Sequence, residues 1–284
     1  MLALLRELGK EVTPERFQKL LFLMCQRQED PVYRFIPGPN GPHSFQAESD
    51  KGTMIKYELL DDHRYWSLKT ATDYREQIKE ADRKTLAALV DQFGNDTAEQ
   101  LLVYICQAYP FHALRVDLRN LSVSASVIDR VEAERPKDGA PKVLTIGYEG
   151  IKAESYMNRL LLNQVSCLVD VRKNAMSRKF GFSKSRLQRM CNVLNIRYLH
   201  VPELGIASEK RKHLNSREEF DALFREYEKQ MLPKREEQLK ELYHVYREHG
   251  RIALTCYERQ PEECHRHKIA EYLIEHYDVT VQHL

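Results

Sequence analysis

A chain of 284 residues, 42% of them apolar, is long enough for two domains that each bury a core. Its 44 basic and 42 acidic residues leave a net charge of +2, so total charge excludes itself as a source of phosphate affinity and only local clusters can supply it. No apolar stretch is long enough to span a bilayer, and Met1–Glu7 is too short and too soon charged to read as a signal peptide. A cytoplasmic protein with no membrane partner is therefore expected. Its six cysteines sit mostly in apolar segments, as reduced core thiols would.

In the first half, Thr13, Pro14 and Glu15 spell a helix start, followed by apolar positions at Phe17, Leu20, Leu21, Leu23 and Met24. A turn-rich loop spans Phe35–Ser44. Alternating residues predict a hairpin of Met54–Leu60 and Tyr65–Leu68, joined through Asp61, Asp62 and His63. Helices near Arg83–Phe93 and Thr97–Ala108 follow. Helices with a small hairpin predict a winged-helix-like α+β module over residues 1–130. Residues 131–142, polar with two prolines and a glycine, read as a linker.

Residues 143–284 alternate. Strands are expected at Val143–Ile146, Val165–Val171, Ile196–Val201, Ile252–Cys256 and Val279–His283, with helices at Ala153–Leu162, about Ser183–Leu194 and the last stretch before Val279. The charged stretch Ser216–His249 reads as a solvated helical hairpin broken near Pro233. This order predicts a Rossmann-like α/β domain with a mostly parallel sheet and helices on both faces. Ligands of such sheets bind beyond the carboxyl ends of the strands. Tyr148, Asp170, Arg172, His200 and Glu258 all fall there.

The densest chemistry lies in Leu254–Arg266. Pro261 suits a first helical position, which would put Cys264, His265 and Arg266 in the first turn, where the helix dipole lowers a thiol's pKa. Glu258, just past a buried strand, is the leading catalytic carboxylate, as acid, base or nucleophile. Asp170 reads as an orienting acid or as half of an ion pair with Arg172. Cys264 with His265 offers a thiol mechanism, although adjacent helical residues diverge by about 100°. Cys256 reads as core. Cys256, Cys264 and His265 together invite a zinc reading, but structural zinc usually draws on two close ligand pairs, so neither metal nor cofactor is expected. The stretch 172–189 carries Arg172, Lys173, Arg178, Lys179, Lys184, Arg186 and Arg189 with Phe180 and Phe182 and no acid, a composition suited to phosphate and to stacked bases. With Tyr148, whose turn N–H groups could meet an anion, and with His200 and Arg266, these form the expected phosphate-binding set.

The landmarks Thr145–Gly150, Val169–Arg172, Ser177–Ser183, Tyr198–His200, Pro202–Gly205, Cys256 with Glu258, and Cys264–Arg266 resemble the domain-of-unknown-function 488 family across residues 143–284. The resemblance implies a three-layer α/β fold and links to nucleotide or nucleic-acid processing, with no settled activity. Asn174 and Ala175 depart from it where the pattern often has proline. Arg16–Phe22, Gly38–Ser44 and Tyr109 with Pro110 resemble a Panacea-type antitoxin-associated domain, implying an interaction module. The expected function is a hydrolase of nucleic acid or nucleotide, at a glycosidic or phosphodiester bond, in a defence or DNA-modification context, with a protein partner at the N-terminal module. The alternatives are a non-catalytic sensor or antitoxin-like regulator, and a thiol-based redox protein. Oligomeric state is not legible.

Overall fold

The computed structural model describes residues 1–61, 64–137, 139–211 and 216–284. The chain divides into two compact units, Met1–Arg135 and Pro136–Leu284. In the first, helix α1 (Leu2–Leu8) precedes α2 (Pro14–Arg27), which opens as its sequence predicts. The Thr13 side chain accepts a hydrogen bond from the Arg16 backbone N–H, and Pro14 takes the first helical position. Phe17 through Cys25 are all buried, so α2 is the central helix of this unit. It packs against α4 (Glu80–Phe93) and α5 (Ala98–Ala108), and Phe17 stacks on the buried Trp66 ring at 4.0 Å.

The only ladder described in this unit is where a loop was expected, with β1 (Ile36–Gly38) antiparallel to β2 (Gly41–His43). The predicted hairpin strand Met54–Leu60 does not form. Ser44 caps a helix by accepting from the Ala47 N–H, and α3 (Phe45–Lys56) runs through Met54. Single bridges join Leu60 to Leu68 and Val12 to Trp66, and Asp62 and His63 of the expected turn lie outside the described residues. Helix α6 (Ala125–Ala133) ends the unit and includes the buried Val131, which the sequence placed in the linker. Asp138 of that linker lies outside the described residues.

The second unit is an α/β fold with a five-stranded, wholly parallel sheet flanked by helices. Its elements are β3 (Lys142–Gly147), α7 (Ala153–Leu162), β4 (Cys167–Asp170), α8 (Lys184–Val193), β5 (Arg197–His200), α9 (Arg217–Glu226), α10 (Glu236–His249), β6 (Arg251–Cys256), α11 (Arg266–His276) and β7 (Val281–His283). The order is β5-β4-β6-β3-β7. The chain leaves β3, lays down β4 and β5, and returns to insert β6 between β4 and β3. All five strands lie where the alternation predicts them.

Val143, Val169, Ile252 and Leu254 face a core shared with Leu239, Leu242, Ile269 and Leu273 of α10 and α11. Thr255 points the other way and accepts a hydrogen bond from Tyr156 of α7 at 2.7 Å. Both faces are covered, which is why β6 is buried along its whole length. The stretch Ser216–His249 departs from the expected solvated hairpin. Leu223, Phe224, Tyr227, Leu232, Leu239, Leu242 and Tyr246 enter the same core, and the Tyr227 hydroxyl donates to the Leu204 carbonyl at 2.6 Å.

Two glycines let the strand-end loops touch. A Cβ on Gly147 would stand 1.8 Å from the Glu258 carbonyl oxygen, and one on Gly205 would stand 2.0 Å from the Lys173 nitrogen. Both contacts are to backbone, which cannot swing aside. Gly147→Ala should therefore lower stability by about 1–3 kcal/mol, the usual cost of overpacking, seen as a lower urea midpoint at unchanged slope. An unchanged midpoint would show that the two loops are not seated against each other.

Candidate functional site

The carboxyl ends of β3, β4 and β6 surround a cavity of about 800 Å³ within the second unit, a size suited to a nucleotide-scale ligand. Tyr148 and Glu149 enter it from the end of β3, Arg172, Lys173, Asn174, Met176 and Ser177 from the end of β4, and Cys256 to Glu258 from the end of β6. Ser216, Arg217 and Phe220 close it from the start of α9, and Glu262 and Glu263 from the turn before α11.

Asp170 and Arg172 form the fixed point of this rim. Asp170 is fully buried and Arg172 nearly so. The guanidinium grips both carboxylate oxygens, with Nε 2.8 Å from Oδ1, and the Arg172 N–H adds a bond to Oδ1 at 3.1 Å. The Tyr198 hydroxyl donates to Oδ2 at 2.7 Å. Arg172 also donates to the Tyr148 hydroxyl at 2.7 Å and to the Phe182 carbonyl at 2.9 Å. Burial works against the arginine's charge, but the bonds and charge of Asp170 outweigh it and raise its pKa. Of the two readings the sequence left open for Asp170, the geometry is that of the ion pair.

All but one of the other expected phosphate ligands are also engaged. Lys179 donates to the Tyr148 carbonyl at 2.6 Å. His200 donates through Nε2 to the Arg172 carbonyl at 2.9 Å. Arg266 is fully buried and clamps the Glu258 and Arg259 carbonyls at 2.6 and 2.9 Å. The Tyr148 and Glu149 N–H groups, expected to face an anion, bond to the Tyr257 carbonyl at 3.1 and 2.9 Å. Arg178 is exposed and does not line the cavity. Arg186 stands over the Phe180 ring at 5.0 Å. Within the stretch 172–189, Arg172, Lys179 and Phe182 form a folded brace, with Phe182 buried and stacked on Tyr148 at 4.3 Å, while Lys173, Arg178, Lys184, Arg186 and Arg189 are exposed.

The structure brings Glu258, Cys256, Cys264 and His265 together. Cys256 ends β6 and directs its thiol to Glu258 Oε2 at 3.2 Å. The helix expected from Pro261 begins only at Arg266, because Pro261–Glu263 forms a single 3-10 turn and Cys264 then turns extended, with φ −138° and ψ 135°. Cys264 thus lies outside the first helical turn, and its thiol pKa is raised rather than lowered. Burial is the main cause, with Cys256 and Glu258 adding to it. The extended residue also removes the helical divergence expected between neighbours. His265 Nδ1 stands 3.9 Å from both the Cys256 and the Cys264 sulfur. Its Nε2–H donates to the Val171 carbonyl at 2.9 Å. Burial opposes a charge on this imidazole, but Cys256, the Val171 carbonyl and Glu258 more than offset it and raise its pKa.

Several cavity residues carried no sequence signal strong enough to single them out. Tyr198, which braces Asp170 and does not line the cavity, had one, since it lies two residues from His200, which pairs in register with Asp170 and so shares its face. Glu149 and Ser177 fall within the family landmarks but had no chemical role assigned, and Arg217, Tyr257, Glu262 and Glu263 are ordinary loop and helix-start residues until the sheet gathers them.

Residues 152–273 match the family model described as Domain of unknown function DUF488, so the second unit carries a domain of that family. The match begins after β3, and it says nothing of the first 135 residues. No curated protein and no solved structure matches the chain. No helix among the described residues is long and apolar enough to cross a membrane.

Removing one partner of the Asp170–Arg172 pair strands the other charge in the interior. Asp170→Ala should cost about 3–5 kcal/mol in urea unfolding, against about 1 kcal/mol for Tyr198→Phe, which deletes one hydrogen bond and leaves the pair intact. Equal, small losses would mean that the pair is solvated.

Proposed function

We propose that the cavity hydrolyses a nucleotide or nucleic-acid substrate, at a glycosidic bond in preference to a phosphodiester. The carrying observation is Glu258, half-buried at the carboxyl end of β6 and facing the cavity from a turn pinned by Arg266. That placement suits a general acid or base.

Charge favours the glycosidic reading. Four carboxylates line the cavity, those of Glu149, Glu258, Glu262 and Glu263. Of its three cations, Arg172 is neutralised by Asp170, which leaves Lys173 and Arg217, both exposed, with Arg217 itself 3.3 Å from Asp221. A net acidic wall stabilises the positive charge that grows on a sugar ring as its glycosidic bond breaks. It opposes the extra negative charge of a phosphoryl transition state. Tyr257, exposed and edge-on to Tyr148, offers a face for a base, and Lys173 and Arg217 are placed to meet a phosphate at the mouth. A Panacea-like interaction role for the first unit would supply partner or substrate specificity.

The test incubates the full chain with nucleosides, nucleotides and oligonucleotides containing ordinary and modified bases, and follows released base by chromatography. Base release should fall by at least about 100-fold in Glu258→Gln, the low end of what an acid–base group contributes. Lys173→Ala should raise KM for phosphorylated substrates more than it lowers kcat. Ligand bound and recovered intact, equally by wild type and Glu258→Gln, would replace hydrolysis with the sensor reading.

A further inference from the structure

We propose that Cys256 Sγ, Cys264 Sγ and His265 Nδ1 bind one divalent cation of the zinc class, its fourth position turned toward Glu258 and the cavity. The three atoms lie within 4.8 Å of one another, on three buried residues. Bond lengths of about 2.3 Å to sulfur and about 2.0–2.1 Å to nitrogen put tetrahedral sulfur–nitrogen edges at about 3.6 Å. Both such edges here measure 3.9 Å, a few tenths of an ångström too long, and the two sulfurs, no more than 4.8 Å apart, would close toward the tetrahedral sulfur–sulfur edge of about 3.8 Å.

The imidazole is oriented for this task. Its Nε2–H is spent on the Val171 carbonyl, which in the neutral ring leaves the Nδ1 lone pair aimed between the two sulfurs. A histidine ligand whose remote N–H is held by a backbone carbonyl is the usual outer-shell arrangement at metal sites. The supporting backbone is equally fixed. Cys256 ends a central strand, His265 abuts α11, and Arg266 clamps the Glu258 and Arg259 carbonyls in the loop between them.

Two sulfurs and a nitrogen select a thiolate-preferring ion over magnesium or calcium, which require oxygen. Binding would release the two thiol protons to solvent, so that two thiolates balance the 2+ charge and the buried centre is neutral. Cys256 alone of the three lines the cavity, which gives the ion its way in. Glu258 Oε2, 3.2 Å from the Cys256 sulfur, then stands beside the open position. The proposal does not depend on the hydrolytic reading, because an ion can be held there whether or not the cavity turns anything over.

The test measures metal rather than turnover. The full chain, purified without chelators or a histidine tag, should carry about one zinc per chain by mass spectrometry of the metal. The metal-free protein, titrated with Co²⁺ under reducing conditions, should develop thiolate-to-cobalt charge transfer and tetrahedral d–d bands. Cys256→Ser and Cys264→Ser should weaken Co²⁺ binding by more than the roughly 10–100-fold that loss of an outer-shell partner costs. Cys191→Ser, a buried thiol on α8, should leave it unchanged. Wild-type protein that takes up neither ion, or a cobalt spectrum without thiolate charge transfer, overturns the site even if a variant fails to fold. Because base release is not read, the hydrolytic reading stands or falls separately.

Discussion

The buried grip of Arg172 on Asp170 is the interaction on which the site depends. An uncompensated charge in a parallel sheet would cost several kcal/mol, so each partner must be satisfied on every side. The bonds that satisfy them reach Tyr198 on β5, Tyr148 beyond β3 and the Phe182 carbonyl before α8. One electrostatic requirement at the tip of β4 thereby positions three separate parts of the rim. His200 and Lys179 extend the network through the Arg172 and Tyr148 carbonyls. The consequence for function is a change of sign. Arg172, Lys179 and Arg266, which look like phosphate ligands when counted along the chain, are committed inside the protein, and the wall left facing the cavity carries more carboxylates than uncommitted cations.

Sheet and rim were legible because both rest on local signals. Val165–Val171 and Ile252–Cys256 are apolar runs of strand length, and a parallel sheet covered on both faces demands such runs. The carboxyl-end rule then placed Tyr148, Arg172 and Glu258 on one cavity without any knowledge of their partners. What stayed hidden were choices made by contacts distant in sequence. The residues Met54–Lys56 alternate well enough for a strand, yet a helix nucleated by the Ser44 cap runs through them. The charged surface of Ser216–His249 masked an apolar stripe from Leu223 to Tyr246 that the sheet buries. Composition alone does not say whether an arginine faces solvent or a carboxylate two residues away.

The instructive miss is at Cys264. Pro261 suits a helix start, but what it starts is a single 3-10 turn. The chain then extends for one residue before α11 begins. That residue decides the chemistry of the site. Inside a helical first turn Cys264 would meet unpaired N–H groups and become a reactive thiolate, with His265 pointing elsewhere. Extended and buried, it instead carries a thiol whose pKa is raised and whose sulfur converges with that of Cys256 on His265 Nδ1. The spacing rule that argued against a metal asks for two close pairs along the chain. The sheet meets that need differently, because insertion of β6 beside β3 and β4 brings the end of one strand against the entrance of the following helix.

Electrostatics bears on why a soft-ion centre and an acidic cavity could share one rim. A dipositive ion bound by neutral ligands would draw Glu258 into direct coordination and remove it from proton transfer. Two thiolates cancel that charge at the source. Glu258 would then feel a neutral neighbour, and the field of Glu149, Glu262 and Glu263 over the cavity would persist. The same balance explains why the cluster can be buried. Three polar ligands in an interior this tightly packed carry a desolvation cost that a neutral, fully coordinated centre avoids, and to which the His265 bond to the Val171 carbonyl and the thiol contacts to Glu258 and His265 already respond.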